Sequence, residues 1–485
     1  MDTINIISHT SSVGLLVIIS FLFIVVGIYH SRNFKGLNNY LVANREMETY
    51  SLTSSLVASA LGTWILFGPP SAATWGGIGA VLGYALGTAL PLFVLIKLGK
   101  KIRELYPHGK TLTEVLRLNF GKKLFKLVLL LSIFYMIIFL IAEVTAVAIL
   151  IRYLSGTALW ITSIIIISSS LAYTLYGGLR ASILTDNIQF LMLIILILIS
   201  FCFLIYYNSS IFNLDFIRNN QPNLLSYSYY TNFTAGLTFF IAVSATNLFH
   251  QGNWQRVFAA RNNNKLKASL LYSSVIIFLI VFWMGYTGLI SYSLNQEVNP
   301  DLAFFDLLLK DKDLYIIFGI LILALSLTLS TIDTLINAIS SLLILNGKQI
   351  NKSLAGKELK KKVNFIILLL SSIVFLISSK GYSILYLFLL ADLLCCAAVI
   401  TIFYGFFRKK IEFKLARLSI LLGLISGFLF FPSIDFQKSL LVGIILPLDL
   451  FSSLITNNLL FISFAISILT QFFVIFYYSF RNSFR

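Results

Sequence analysis

The chain of 485 residues is 58% apolar and only 11% charged, with a mean hydropathy of +0.91, so it cannot present a water-compatible surface as a soluble globule. Lipid must be the solvent for most of it. The formal charge of +17 raises nucleic acid as a partner, but the cations sit in alternate short loops between apolar segments, which is the pattern of a membrane protein and argues against that partner.

About 20 mostly apolar residues cross the hydrocarbon as a helix, and unsatisfied backbone groups there are too costly for any open structure. Segments this long and this continuously apolar exclude a barrel. The expected fold is all-α and polytopic, with about thirteen transmembrane helices at roughly 10–30, 51–76, 78–98, 122–152, 157–176, 182–207, 232–250, 266–293, 313–346, 362–379, 383–407, 413–431 and 455–482. The first segment is too long for a secretory leader core and no small-residue cleavage site follows it, so it reads as a retained helix. No appended soluble domain is expected. With the N-terminus outside, the clusters at Arg32 to Arg45, Lys97 to Lys126, Arg180, Arg256 to Lys267, Lys348 to Lys362, Arg408 to Arg417 and the tail with Arg481 and Arg485 all fall inside. Only Arg152, Arg218, Lys310, Lys312, Lys380 and Lys438 fall opposite, and an even number of spans would spoil this alternation. The reading is a multi-pass protein of the cell's inner (plasma) membrane with a cytoplasmic C-terminus.

Polar residues within spans are costly and by default mark a pathway or site. In the span 51–76, Ser55, Ser59 and Gly62 share a face before Gly68, Pro69 and Pro70 interrupt the helix. Such a break either bares carbonyls for a midplane cation site or is an ordinary proline kink satisfied by its neighbours. Glu143 lies mid-span and needs a cation, a proton or a polar solute beside it. Asp186, next to Thr185, is either functional or a solvated acid favoured by the helix N-terminus. Cys202, Cys395 and Cys396 all lie in apolar spans and read as packing rather than as a disulfide or metal set. His250 reads as a hydrogen-bonded interfacial residue. In the span 313–346, Ser326, Ser330, Asp333, Asn337 and Ser341 recur at steps of three or four, flanked by Thr331 and Thr334, which puts hard oxygen atoms along one helical face. Those oxygens suit a small cation, or they simply join helices. Asp392 has no obvious partner. The four histidines, His9, His30, His108 and His250, stand at segment ends or in loops, so none pairs with a buried serine and an enzyme is not expected.

The run Tyr173-Thr174-Leu175-Tyr176-Gly177-Gly178-Leu179-Arg180-Ala181, leading into Thr185-Asp186-Asn187-Ile188-Gln189, resembles a signature of the sodium:solute symporter family, whose members carry proline, pantothenate, sugars, sialic acid or urea. His250-Gln251-Gly252-Asn253-Trp254-Gln255-Arg256, followed by Ala259 and Ala260, is similar to the family's second signature, and Tyr40-Leu41-Val42-Ala43-Asn44-Arg45 to its entry into the first core helix. The resemblance implies a five-plus-five inverted repeat of the leucine-transporter type in a single transport domain. Residues 1–50 would form the leading helix and loop, 51–410 the ten-helix core, and 411–485 two additional helices. It implies Na+ as coupling ion, no organic cofactor, and a small-molecule solute as partner. Matching motifs places sodium on the carbonyls of Ala58, Leu61 and Leu327 and the hydroxyls of Ser330 and Thr331, with Asp186 on the sodium exit path. Glu143, Asn247, Phe249 and Gln251 would lie near the solute. Where proline carriers have an acid in the first core helix this chain has Ala60, so a dependence on that acid is not expected. The functional expectation is sodium-coupled symport of an amino acid, urea, sugar or carboxylate by alternating access. The rivals are a proton-coupled carrier of the same fold, with Glu143 as proton carrier, and a membrane solute sensor, for which no output domain is seen.

Overall fold

The computed structural model describes residues 6–31, 41–207, 214–226, 228–309, 314–350, 356–407, 412–434, 436, 438–439, 441 and 458–483. Its helices in chain order are α1 His9–Ser31, α2 Thr49–Ala60, α3 Gly68–Leu105, α4 Leu112–Phe120, α5 Lys122–Ser155, α6 Leu159–Tyr207, α7 Leu214–Asn220, α8 Pro222–Leu225, α9 Tyr230–Phe249, α10 Gln251–Ala259, α11 Asn263–Leu294, α12 Ala303–Leu309, α13 Leu314–Ile350, α14 Gly356–Ser378, α15 Ile384–Phe407, α16 Phe413–Phe430 and α17 Leu459–Ser483. Among the described residues the β pairing consists of two isolated bridges, Met47 to Ala260 and Pro432 to Ser439. Hydrocarbon leaves the backbone no partner but itself, and helices satisfy that demand within each segment.

Eleven helices among the described residues are long and apolar enough to cross a bilayer, against the thirteen spans expected. Two of the expected spans, 157–176 and 51–76, are not among those eleven. The expected span 157–176 is a 17-residue apolar stretch, Leu159–Leu175, at the start of α6. At 1.5 Å per residue the whole of α6 would be about 74 Å long, roughly twice a bilayer, so its second apolar stretch, Ser182–Tyr206, is a separate crossing. The expected span 51–76 is divided into α2, a short 3-10 turn at Thr63–Leu66 and the first nine residues of α3. Gly77, at φ 53° and ψ −151°, then turns α3 onto a new axis, which only a residue without a Cβ adopts at little cost.

The centre of the bundle is α3 packed along α9 and α11, with α13 lying against α6 and α5. A Cβ added to Gly79 or Gly83 would collide with the backbone carbonyl of Asn232 or Gly236. Small residues at this four-residue spacing let α3 and α9 approach backbone to backbone, the usual way helices associate where lipid removes the hydrophobic drive. Large apolar side chains such as Leu198, Phe472 and Phe473 point outward and are exposed on the bundle's rim, where acyl chains would cover them.

Candidate functional site

The break after α2 is the first half of the site. Leu61 leaves the helical region at φ −98° and ψ 88°, and no backbone N–H bonds to the carbonyls of Ala58 or Leu61 among the described residues. Both residues are buried. Thr63 faces α13, pairing its hydroxyl with Thr328 and donating it to the Ala324 carbonyl at 3.3 Å. The backbone N–H of Thr63 donates to Oε2 of Glu143 at 2.9 Å. Oε1 of the same carboxyl is buried and has no hydrogen-bond partner among the described residues. It lies directly against Gly62, where a Cβ would also come within 2.8 Å of the Thr331 hydroxyl. A hydroxyl and an unsatisfied carboxyl oxygen thus meet beside Gly62, the next residue in the chain after Leu61, and hard oxygens of this kind fit a small cation.

The polar face of α13 is the second half. Ser326, Ser330, Asp333, Asn337 and Ser341 are all buried, and most of them meet partners on α6 and α10. Ser330 donates to Oδ1 of Asp186 at 2.7 Å, while Ser55 donates to Oδ2 at 2.5 Å. Asp333 accepts from Ser182 at 2.8 Å, Tyr173 at 3.1 Å and Thr185 at 3.2 Å. Gln255 donates to Ser341 at 2.9 Å. Arg256 enters from α10, meeting Asp186 at 2.8 Å, Ser55 at 2.7 Å and Thr334 at 3.0 Å. The two sequence signatures therefore face one another: one supplies Tyr173, Thr185 and Asp186, and the other supplies Arg256. Asp186 is fully buried in an ion pair, which rules out the reading of a solvated N-terminal acid.

The expected sodium ligands and solute contacts are not all in equivalent positions. Thr331 stands at the break, donating its proton back to the Leu327 carbonyl at 3.1 Å and leaving its lone pairs toward the gap. Ser330 is buried but turned to Asp186. A small cavity of about 50 Å³ between α2, α3, α5, α9, α13 and α15 has Ser59, Ala60 and Thr331 in its wall. Of the four residues expected near a solute, Asn247 lines this cavity. The others do not. Glu143 sits behind the α2 break, Phe249 packs its ring on Tyr135 at 5.8 Å, and the Gln251 backbone N–H donates to the Tyr135 hydroxyl at 3.0 Å. Helical spacing could not separate them, because a cavity wall is chosen by rotation about each helix axis and by tilt. Trp64, Tyr84, Phe139, Thr246, Phe388 and Asp392 also line the cavity and were not anticipated as solute contacts. Asp392 finds its partner in Thr246, which donates to Oδ1 at 2.7 Å.

A multi-pass helical bundle with one core helix broken at its centre, and a buried polar helix closing on the break, defines a membrane protein of the solute-transporter class. The model of the sodium:solute symporter family matches residues 40–423, and the chain belongs to that family. Spermidine transporter DUR31 of Candida albicans is 24% identical over 80% of this chain and 74% of its own length. Sodium/glucose cotransporter 4 of Danio rerio is 28% identical over 37% of this chain and 28% of its own length. The fold is that of a Na+-coupled sialic acid symporter solved in a substrate-bound outward-open state, with a TM-score of 0.73 at 17% identity over 96% of each chain. The leucine-transporter type of helical core follows from that likeness.

Proposed function

We propose that the chain is a sodium-coupled symporter of a small polar solute, working by alternating access in the plasma membrane with its N-terminus outside. In this reading residues 51–410 form the transport core. Sodium rests on the carbonyls of Ala58, Leu61 and Leu327 and the hydroxyls of Ser330 and Thr331, and ties α2 to α13. That tie favours the form open to the outside, and Asp186 lies on the ion's inward route. The observation that carries the proposal is the buried break whose Ala58 and Leu61 carbonyls accept no backbone bond among the described residues while the Thr331 hydroxyl stands beside Gly62. Each hydroxyl has its proton committed, Ser330 to Asp186 and Thr331 to Leu327, so each offers lone pairs to a cation. The named relatives carry spermidine and glucose respectively, and the solute is taken here only as small and polar.

Sodium binding is tested without knowing the solute. Purified protein is melted in sodium chloride and in potassium chloride at equal ionic strength. Sodium at about a hundred times its Kd stabilises by about 2.7 kcal/mol, seen as a higher Tm in sodium. The Ser330→Ala, Thr331→Ala double variant should lose that difference while keeping its potassium Tm. An unchanged sodium response in the double variant refutes the ligand assignment.

A second reading rests on Glu143 Oε1, buried and without a partner among the described residues, which fits a proton carrier. It requires that Glu143→Gln, and not the double variant, abolish coupling, and that uptake persist when sodium is replaced by potassium.

A further inference from the structure

Asp392 is a carboxylate facing a cavity that the sodium reading leaves without a use. It is 4% exposed, on α15, and lines the small cavity beside the α2 break. Thr246 satisfies one of its oxygens, and among the described residues no cationic side chain pairs with it. A buried carboxyl in a membrane core must be neutralised by a proton or a counter-charge, because its desolvation is costly. No Lys or Arg is among the described residues lining this cavity. The buried guanidinium nearest in role, Arg256, is committed to Asp186. Apart from the Tyr84 phenol, the other titratable side chain in the wall is His250, at the break between α9 and α10.

The rest of the wall is aromatic. Trp64, Tyr84, Phe139 and Phe388 line it, with Phe139 and Phe388 edge to face at 5.0 Å. The rings continue out of the cavity: Trp64 stacks on Tyr84 at 5.8 Å, Tyr84 on Phe239 at 4.3 Å, and Phe239 meets Trp75 at 5.7 Å. Trp75 lines a second, larger cavity of about 440 Å³, whose charged lining residue is again an acid, Asp301. Each cavity thus has one carboxylate and no Lys or Arg among its described lining residues, with His250 in the wall of the small one, and packed aromatic rings lie between the two. Ring faces attract cations held within about 6 Å of the ring centre.

We propose that the solute is an organic cation, whose compact ammonium or amine head rests against Asp392 within the ring of Trp64, Tyr84, Phe139 and Phe388. The small cavity holds about as much as one or two waters, which suits a compact charged head. This deepens the symport reading and rests on it for the solute's role, but its test does not depend on transport.

The test uses the full chain in detergent, melted in sodium chloride with putrescine, agmatine or choline as cationic probes, and with urea, glucose, proline or N-acetylneuraminate as neutral, zwitterionic and anionic controls. At least one cation should raise the Tm saturably while the controls do nothing. Asp392→Asn keeps an oxygen for the Thr246 hydroxyl but removes the charge. It should lower the cation's affinity by about tenfold or more and leave the sodium-dependent shift at the wild-type value. Should Asp392→Asn not give a sodium-responsive melt, Phe139→Leu replaces it, with weakened cation binding expected. A control that stabilises wild type and Asp392→Asn equally, or the absence of any shift with all three cations, overturns the proposal even where sodium still stabilises. Cation binding that depends on Asp392 without any sodium effect leaves this inference standing and sinks the symport reading instead.

Discussion

Asp186 and Arg256 are both fully buried and meet at 2.8 Å, in a place where a charge left without its opposite has no water to turn to. Removing one member of such a pair costs about 3–5 kcal/mol, because the charge left behind stays buried, whereas replacing both with apolar groups is often close to neutral. Arg256→Met should therefore lower the Tm and the yield of folded protein sharply. Asp186→Leu combined with Arg256→Met should recover much of that loss. The cycle of Tm values measures it, and a double variant as unstable as the sum of the singles would show that the two side chains do not act on each other. Recovery of fold need not restore function: Asp186 also receives Ser330 and Ser55, so the repacked variant would lose the group that orients one of the proposed sodium ligands.

The ends of α2 and α10 are stitched together on one side of the bundle. Met47 N–H donates to the Ala259 carbonyl at 3.2 Å, and Arg261 N–H to Met47 at 3.1 Å. Just beyond, Glu48 pairs with Arg261 at 2.5 Å and Lys265 at 2.9 Å. Lys265 and then Arg261 hold the Glu48 carboxyl below its ordinary value, so this attachment is present above the usual carboxylate pKa and is lost as pH falls through the depressed one. Glu48→Gln should loosen this end at neutral pH without changing the melt noticeably, since exposed ion pairs contribute little to stability. The readout is labelling of a cysteine placed at Ser54 by a water-soluble maleimide. Faster labelling in Glu48→Gln than in wild type at neutral pH, with the difference shrinking in acid, is expected, and equal rates at all pH values would show that the ion pairs do not restrain α2. Much of the architecture around this point was legible beforehand. The interruption of the second span announces itself in Gly68, Pro69 and Pro70, and the stripe on α13 in its period. Both are properties of a single helix. The positions of Glu143 against Thr63 and of Asp392 against Thr246 were not legible, because each contact joins residues far apart in sequence and depends on how helices are rotated toward each other.

Across the whole molecule, the proposed sodium site and the cavity share a wall. Thr331 belongs to both, standing at the Gly62 break and lining the cavity together with Ser59 and Ala60, whereas Ser330 faces Asp186 and is not part of the cavity wall. Coupling between two ligands requires that each changes the state the other prefers, and the free energy involved, typically about 1–3 kcal/mol, must be the same read from either ligand. A solute that binds in the cavity should therefore tighten sodium by the factor, roughly 5- to 150-fold, by which sodium tightens the solute. Two titrations measure it: the sodium dependence of the Tm with and without saturating solute, and the solute dependence in sodium and in potassium. The shared residue makes a sharper demand. Ser330→Ala should weaken sodium while leaving the coupling factor near its wild-type value, because its hydroxyl touches only the ion side. Thr331→Ala should weaken sodium and also collapse the factor toward one, since the atom it removes is the one both ligands feel. Equal coupling factors in the two variants would mean that the link runs through movement of α2 as a rigid body and not through the wall the two sites have in common.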